Sequence, residues 1–99
     1  MTKLHYEYPK IKLPDGDMRS RSISFNDDGE FVFEQTDLGY MTAKLAPNGG
    51  DSDYEYFITV PKDQLNRLLF ELVKENFNES GDFSTWLEAK KIKYDFFSY

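Results

Sequence analysis

The residues that decide the fold read "RSRSISFNDDGEFVFE" (19–34), two alternating runs on either side of Asn-Asp-Asp-Gly. The first run alternates larger side chains with serine, and the second places Phe31 and Phe33 on one side. A period of two is typical of a β-strand with two unlike faces. Because a polar turn ending in glycine joins the runs, the stretch predicts a β-hairpin in which Gly29 adopts a positive φ angle.

Further strands are predicted on both sides of this hairpin. Upstream, "LHYEYPKIKL" (4–13) alternates but is interrupted by Pro9, which indicates an edge strand or a bulged strand, and "PDGD" (14–17) is a turn. Downstream, "DYEYFITV" (53–60) alternates throughout, and the tail at 92–98 predicts a final strand. The stretch between them, "DLGYMTAKLAPNGG" (37–50), fits neither period and is interpreted as a loop.

The C-terminal half predicts two helices. In "PKDQLNRLLFELVKENF" (61–77) the apolar residues recur at helical spacing, and we expect Leu69 in the core. A shorter helix is predicted over "DFSTWLEAKK" (82–91), with Asp82 as its N-cap. The sequence therefore predicts one domain (1–99) of the α+β class. It would contain an antiparallel sheet of about four strands, packed on one face by the two helices.

The charge of the chain restricts its possible partners. The formal net charge is −6, and residues 26–55 carry eight acidic residues against one lysine. Nucleic acid and anionic membranes are therefore poor partners, whereas a basic protein would be attracted. The sequence lacks cysteine, a signal-peptide core and a long apolar run, so we expect a cytoplasmic protein.

The stretch "NGGDSDYEYF" (48–57) is the candidate functional site, because it alternates acidic and aromatic residues. As an EF-hand loop it fails, since Tyr56 and Lys62 occupy the positions that need glycine and a bidentate glutamate. Three interpretations stay open. One is a protein-binding face without cofactor or catalysis. The second is a small metal-dependent or carboxylate-based hydrolase using Asp51, Asp53 and Glu55. The third is a housekeeping domain without a dedicated acidic site, in which the acids keep the protein soluble. The protein-binding face would comprise Asp37, Asp51, Asp53, Tyr54, Glu55 and Tyr56.

The orientation of the two tyrosines follows from strand parity. Tyr54 and Tyr56 share the parity of Ile58 and Val60, so we expect them to face the core and the neighbouring acids to face solvent. Phe57 is the exception on the acidic side.

The chain also resembles a group of small uncharacterised bacterial proteins. The resemblance covers about residues 30–99 and rests on four segments. These are "DLG" (37–39), "GDSDYEY" (50–56), "TVPKDQLNRLLFEL" (59–72) and the tail "IKYDFFSY" (92–99). Such proteins are similar in size, charge and architecture to toxin immunity proteins. The resemblance implies an inhibitor that occludes a basic, nuclease-like toxin through its acidic and aromatic residues.

Overall fold

The fold is α+β, as the sequence predicts. The computed structural model describes residues 4–14, 16–38 and 53–98. Five strands form one antiparallel sheet in the order β1-β3-β4-β5, and β2 also pairs with β3. Two helices follow, preceded by a 3-10 turn. The bounds are β1 His5–Glu7, β2 Ile11–Lys12, β3 Met18–Phe25, β4 Phe31–Leu38, β5 Asp53–Val60, a 3-10 turn Lys62–Gln64, α1 Leu65–Asn76 and α2 Ser80–Ala89.

The predicted hairpin is formed by β3 and β4, and Asn26 organises its turn. The Asn26 side-chain oxygen accepts hydrogen bonds from the backbone N–H groups of Asp28 at 3.0 Å and Glu30 at 2.9 Å. Gly29 has a φ of +80°, which side-chain-bearing residues rarely adopt. The turn therefore depends on an asparagine that replaces missing backbone partners and a glycine that tolerates the left-handed conformation.

The strands differ from the predicted ones in two respects. Pro9 divides the first strand into β1 and β2, both paired with β3, so the sheet has five strands rather than about four. Strand β4 continues to Leu38, so Asp37 lies in the sheet rather than in the predicted loop. Cross-strand pairing overrides the weak local pattern here, because β3 offers partners as far as Met18. The remaining loop residues, 39–50, lie outside the described residues.

The register of the strands divides the sheet into two unlike faces. Residues directly opposite each other in an antiparallel pair project to the same side. One side, the aromatic face, carries Tyr6, Ile23, Phe25, Phe31, Phe33, Tyr54, Tyr56, Ile58 and Val60. The other side, the hydroxyl face, carries Ser20, Ser22, Ser24, Val32, Glu34, Thr36, Glu55, Phe57 and Thr59.

The chain divides into two compact units, Met1–Leu65 and Asn66–Tyr99. The first contains the sheet. In the second, an aromatic cluster joins α1 to α2, with the ring of Phe77 5.3 Å from that of Phe83 and 5.7 Å from that of Trp86, between centroids. The described residues include no helix long and apolar enough to cross a membrane.

The predicted core position of Leu69 is wrong, since its side chain is 62% exposed. Leu69 lies two turns before Phe77, where the aromatic cluster joins the two helices. An apolar stripe indicates which side of a helix avoids water but does not say how far along that side a neighbour extends. Leu69→Ala is therefore expected to cost less than the usual value for a buried leucine.

Both ends of α2 differ from the prediction. The helix begins at Ser80 with Glu79 in the N-cap position, so Asp82 lies in the first turn and is not the cap. At its C-terminus, Lys91 adopts a φ of +58°, with backbone hydrogen bonds from Ile92 N–H to Leu87 O and from Lys91 N–H to Glu88 O. This is the Schellman arrangement, which reverses the chain direction after a helix.

The final strand predicted at 92–98 is absent, since these residues have no regular structure. The segment follows directly on the helix-ending turn, and the Tyr94 hydroxyl donates a hydrogen bond back to the Glu88 carboxylate. Alternation of apolar residues is insufficient for a strand, because a strand also requires a partner for its backbone groups.

Candidate functional site

Strand β5 holds most of the residues predicted to form a binding face. Tyr54, Glu55 and Tyr56 lie within it, and Asp53 is its first residue, with its backbone opposite Leu38. Asp37 lies in β4 directly opposite Tyr54. Asp51 lies outside the described residues. The sheet thus brings Asp37 beside the β5 residues from a position distant in sequence.

The alternation of β5 separates the acidic and aromatic side chains of this set. Tyr54 and Tyr56 lie on the aromatic face with Asp37, whereas Glu55 lies on the hydroxyl face opposite Thr36. The predicted residues therefore do not share one face of the sheet. What they have in common is strand β5, whose two sides present different chemistry.

The tyrosines are exposed, so the prediction that they face the core is wrong. Tyr54 is 56% exposed and Tyr56 is 49% exposed, and Ile58 on the same side is 65% exposed. Parity assigned these residues to one face correctly. Parity did not predict their exposure, because β5 lies at the end of the strand order. Among the described residues, β5 has a neighbouring strand on one side only. A side chain on such an edge has fewer neighbours to cover it.

Asp37 is already engaged within the sheet. Its two carboxylate oxygens accept hydrogen bonds from Arg19 Nε at 2.7 Å and from the Arg19 terminal nitrogen at 3.1 Å. The hydrogen bond from Arg19 lowers the pKa of the Asp37 carboxyl, and the coulombic attraction of the guanidinium adds to this effect. Bidentate pairs of this kind are strong and specific in geometry. A partner would have to compete with Arg19, which makes Asp37 a weaker candidate than the exposed Glu55.

Two residues that the sequence-based set omits belong to this surface. Phe57 is 60% exposed on the hydroxyl face, and Ile58 is 65% exposed on the aromatic face. Glu34, also exposed, lies directly opposite Phe57. The sequence contained a signal for Phe57, because it is an apolar residue on the polar side of a strand. Such a residue is either buried by a neighbouring element or available to a binding partner.

The titratable side chains of the described residues bear on the hydrolase interpretation. They include no group of three or more histidine, aspartate or glutamate side chains placed to hold a metal ion. His5 lies 3.4 Å from the carboxylate of Glu7, on an exposed part of β1. A cavity of about 370 Å³ near Arg21 is lined mainly by polar side chains, and the Arg21 guanidinium lies 5.0 Å from the centroid of the Tyr8 ring. Glu7, Lys10 and Glu34 also line this cavity.

Known proteins add no further indication of what the site binds. Comparison with family models, with curated proteins and with solved structures finds no significant match in any of the three.

Proposed function

We propose that this protein is a cytoplasmic interaction module that binds a basic protein, acting as an immunity-type inhibitor of a nuclease-like toxin. The observation that carries the proposal is the exposure of consecutive large side chains along β5. Tyr56, Phe57 and Ile58 are 49%, 60% and 65% exposed. Large apolar and aromatic side chains grouped at a surface are typical of protein interfaces, where tyrosine in particular provides much of the binding energy.

The charge of the chain supports a basic partner over a neutral one. The net charge is −6, and β5 and the residues before it carry acidic side chains without a balancing base between Lys44 and Lys62. Exposed acids accelerate the encounter with a positively charged protein, and their main effect is on the association rate. The lysines and arginines with which a nuclease holds its phosphate substrate are such a target. Covering them would block the enzyme without any reaction.

The experiment measures whether the purified protein binds and inhibits a secreted nuclease encoded by the neighbouring gene. Wild-type protein is compared with variants. Tyr56→Ala is expected to weaken binding by about 30-fold, the usual effect of truncating an interface hot spot. Tyr6→Ala is the matched control, since Tyr6 is 52% exposed on the same face but in β1. Glu55→Gln should slow association and reduce its salt dependence.

Two results would contradict the proposal. One is equal binding of the nuclease by Tyr56→Ala and Tyr6→Ala, which would show that β5 contributes no more to binding than β1. The other is a failure of the wild-type protein to bind or inhibit any basic protein encoded beside it.

A further inference from the structure

We propose that β5 is also the contact between two copies of this chain, which pair antiparallel edge to edge about a two-fold axis at Phe57. In the strand order, β5 is terminal, and no described strand pairs with its outer side. An open strand edge is a template for another strand, because its backbone N–H and C=O groups lack partners.

The two edges of the sheet differ in how well they are protected against such pairing. At the β1 and β2 edge the strands have three and two residues, and Pro9 and Lys10 lie between them. Short strands, proline and lysine are the usual means of blocking an edge. Strand β5 has eight residues, "DYEYFITV", without proline or lysine. Among the described strands, one edge of the sheet is therefore protected by these means, and the edge formed by β5 is not.

The direction of the backbone groups of β5 follows from the ladder of hydrogen bonds. Phe25 N–H donates to Leu4 O at 3.3 Å, and Tyr8 N–H donates to Arg21 O at 2.9 Å, so the odd-numbered residues of β3 bond towards β1. Because bonding alternates along antiparallel strands, the even residues of β3 bond to β4 and the odd residues of β4 bond to β5. In β5 the outward backbone groups are therefore those of the odd-numbered residues, Asp53, Glu55, Phe57 and Thr59.

A two-fold axis at Phe57 pairs the outward backbone groups of one copy with those of the other. It also places compatible side chains opposite each other. Phe57 then lies opposite Phe57 of the other copy, and Glu55 of each copy lies opposite Thr59 of the other. On the aromatic face, Tyr56 faces Ile58 and Tyr54 faces Val60, and aromatic residues pair well with branched ones across strands. All directly opposed residues come from the same face of the sheet, so the aromatic face continues from one copy to the next.

Repulsion between the two Glu55 side chains disfavours the registers whose axis lies nearer the start of β5. With the axis at Phe57, the two Glu55 side chains lie four residues apart along the paired strands, about 13 Å. An axis at Glu55 would place them directly opposite, where like charges are destabilising. An axis at Tyr56 would leave them diagonal neighbours, about 7–8 Å apart. An axis at Ile58 would place Glu55 opposite Pro61, which has no backbone N–H to donate, and would therefore shorten the ladder. The occupant is therefore a second copy with the axis at Phe57. With a net charge of −6 on each copy, the dimer is expected to strengthen as salt increases.

Sedimentation equilibrium over a wide range of protein concentration tests the dimer with two matched variants. The average mass of the wild type should rise from 11.7 kDa towards twice that value, and further at higher salt. Phe57→Lys places two lysines opposite each other and should keep the protein monomeric. Thr59→Lys changes the net charge equally but places each lysine opposite Glu55, so association should be kept or increased. The proposal is overturned if the wild type is monomeric. It is also overturned if the two variants associate equally, whether both are dimeric or both are monomeric.

Cysteine cross-linking tests the register even if a lysine variant fails to fold. The chain lacks cysteine, so each substitution introduces a single thiol. In Phe57→Cys the two Cα atoms should lie about 5.5 Å apart, within the range of a disulfide. In Thr59→Cys they should lie about 13 Å apart, which is too far. Oxidation should yield a covalent dimer of the first variant and not of the second, and equal yields would refute the axis at Phe57. The opposite salt dependence separates this dimer from binding to a basic partner, which should weaken with salt.

Discussion

The positive φ angles at Gly29 and Lys91 give a quantitative prediction about stability. Gly29 ends the β3–β4 turn at φ +80°, and Lys91 ends α2 at φ +58°. A positive φ is thus adopted by a glycine at the end of the hairpin turn and by a residue with a Cβ at the end of α2. A residue with a Cβ pays about 1–2 kcal/mol in this region, because the Cβ approaches the following carbonyl oxygen.

The surroundings of Gly29 separate this backbone cost from steric overlap. A Cβ at Gly29 would lie 3.5 Å from Lys62 Cε and 3.6 Å from Lys62 Cδ, which are ordinary contacts with a flexible side chain. Gly29→Ala should therefore cost about 1–2 kcal/mol, all of it from the backbone. Gly29→Asn should cost less, since asparagine tolerates the left-handed region. Lys91→Gly should instead stabilise the protein by about 0.5–1 kcal/mol, because it removes the backbone strain at this position. The gain is smaller than the full strain energy, since glycine loses more backbone entropy on folding.

The assay is urea unfolding of the full chain, followed by far-ultraviolet circular dichroism and by the fluorescence of Trp86. Trp86 is the single tryptophan and lies in α2, so its signal reports on the unit that contains Lys91. The slopes of the transitions should be unchanged, which shows that the midpoints report stability. A loss below about 0.5 kcal/mol for Gly29→Ala, or a destabilising Lys91→Gly, would refute this reasoning about backbone strain.

Two further predictions concern the ion pair and the aromatic cluster. The hydrogen bond from Arg19 lowers the pKa of Asp37, so its stabilising effect is present above the unfolded value of about 4 and is lost as the pH falls through the folded pKa. The free energy of unfolding, measured by urea melts from neutral to acidic pH, should therefore fall less for Asp37→Asn than for the wild type. Parallel pH dependences of the two proteins would contradict this. Directly after α1, Phe77→Ala should cost about 2 kcal/mol, because Phe77 contacts Phe83 and Trp86 and is half-buried. Phe70→Ala, within α1 at a position 64% exposed, is the control. An equal loss of stability from both variants would mean that the aromatic cluster adds no stability.

Local sequence features determined several elements of this protein. The Asn-Asp-Asp-Gly turn and its flanking alternation predict the β3–β4 hairpin, and β5 spans Asp53–Val60 as its pattern indicates. The apolar stripe predicts a helix within 61–77, and the helix forms at Leu65–Asn76 after a 3-10 turn. These predictions succeed because turn chemistry and periodicity act over a few residues, where the sequence states the physical preference directly.

Other features depended on contacts between distant residues and could not be predicted from the local pattern. Pairing with β3 extended β4 to Leu38 and brought Asp37 to Arg19, while the tail at 92–98 alternates but has no strand partner. Parity placed Tyr54 and Tyr56 on one face but could not decide their exposure, which depends on the strand order that leaves β5 at an edge. The sequence alone thus determined which residues share a strand face. The tertiary structure decided what lies beside them, because burial and pairing depend on neighbours that are distant along the chain.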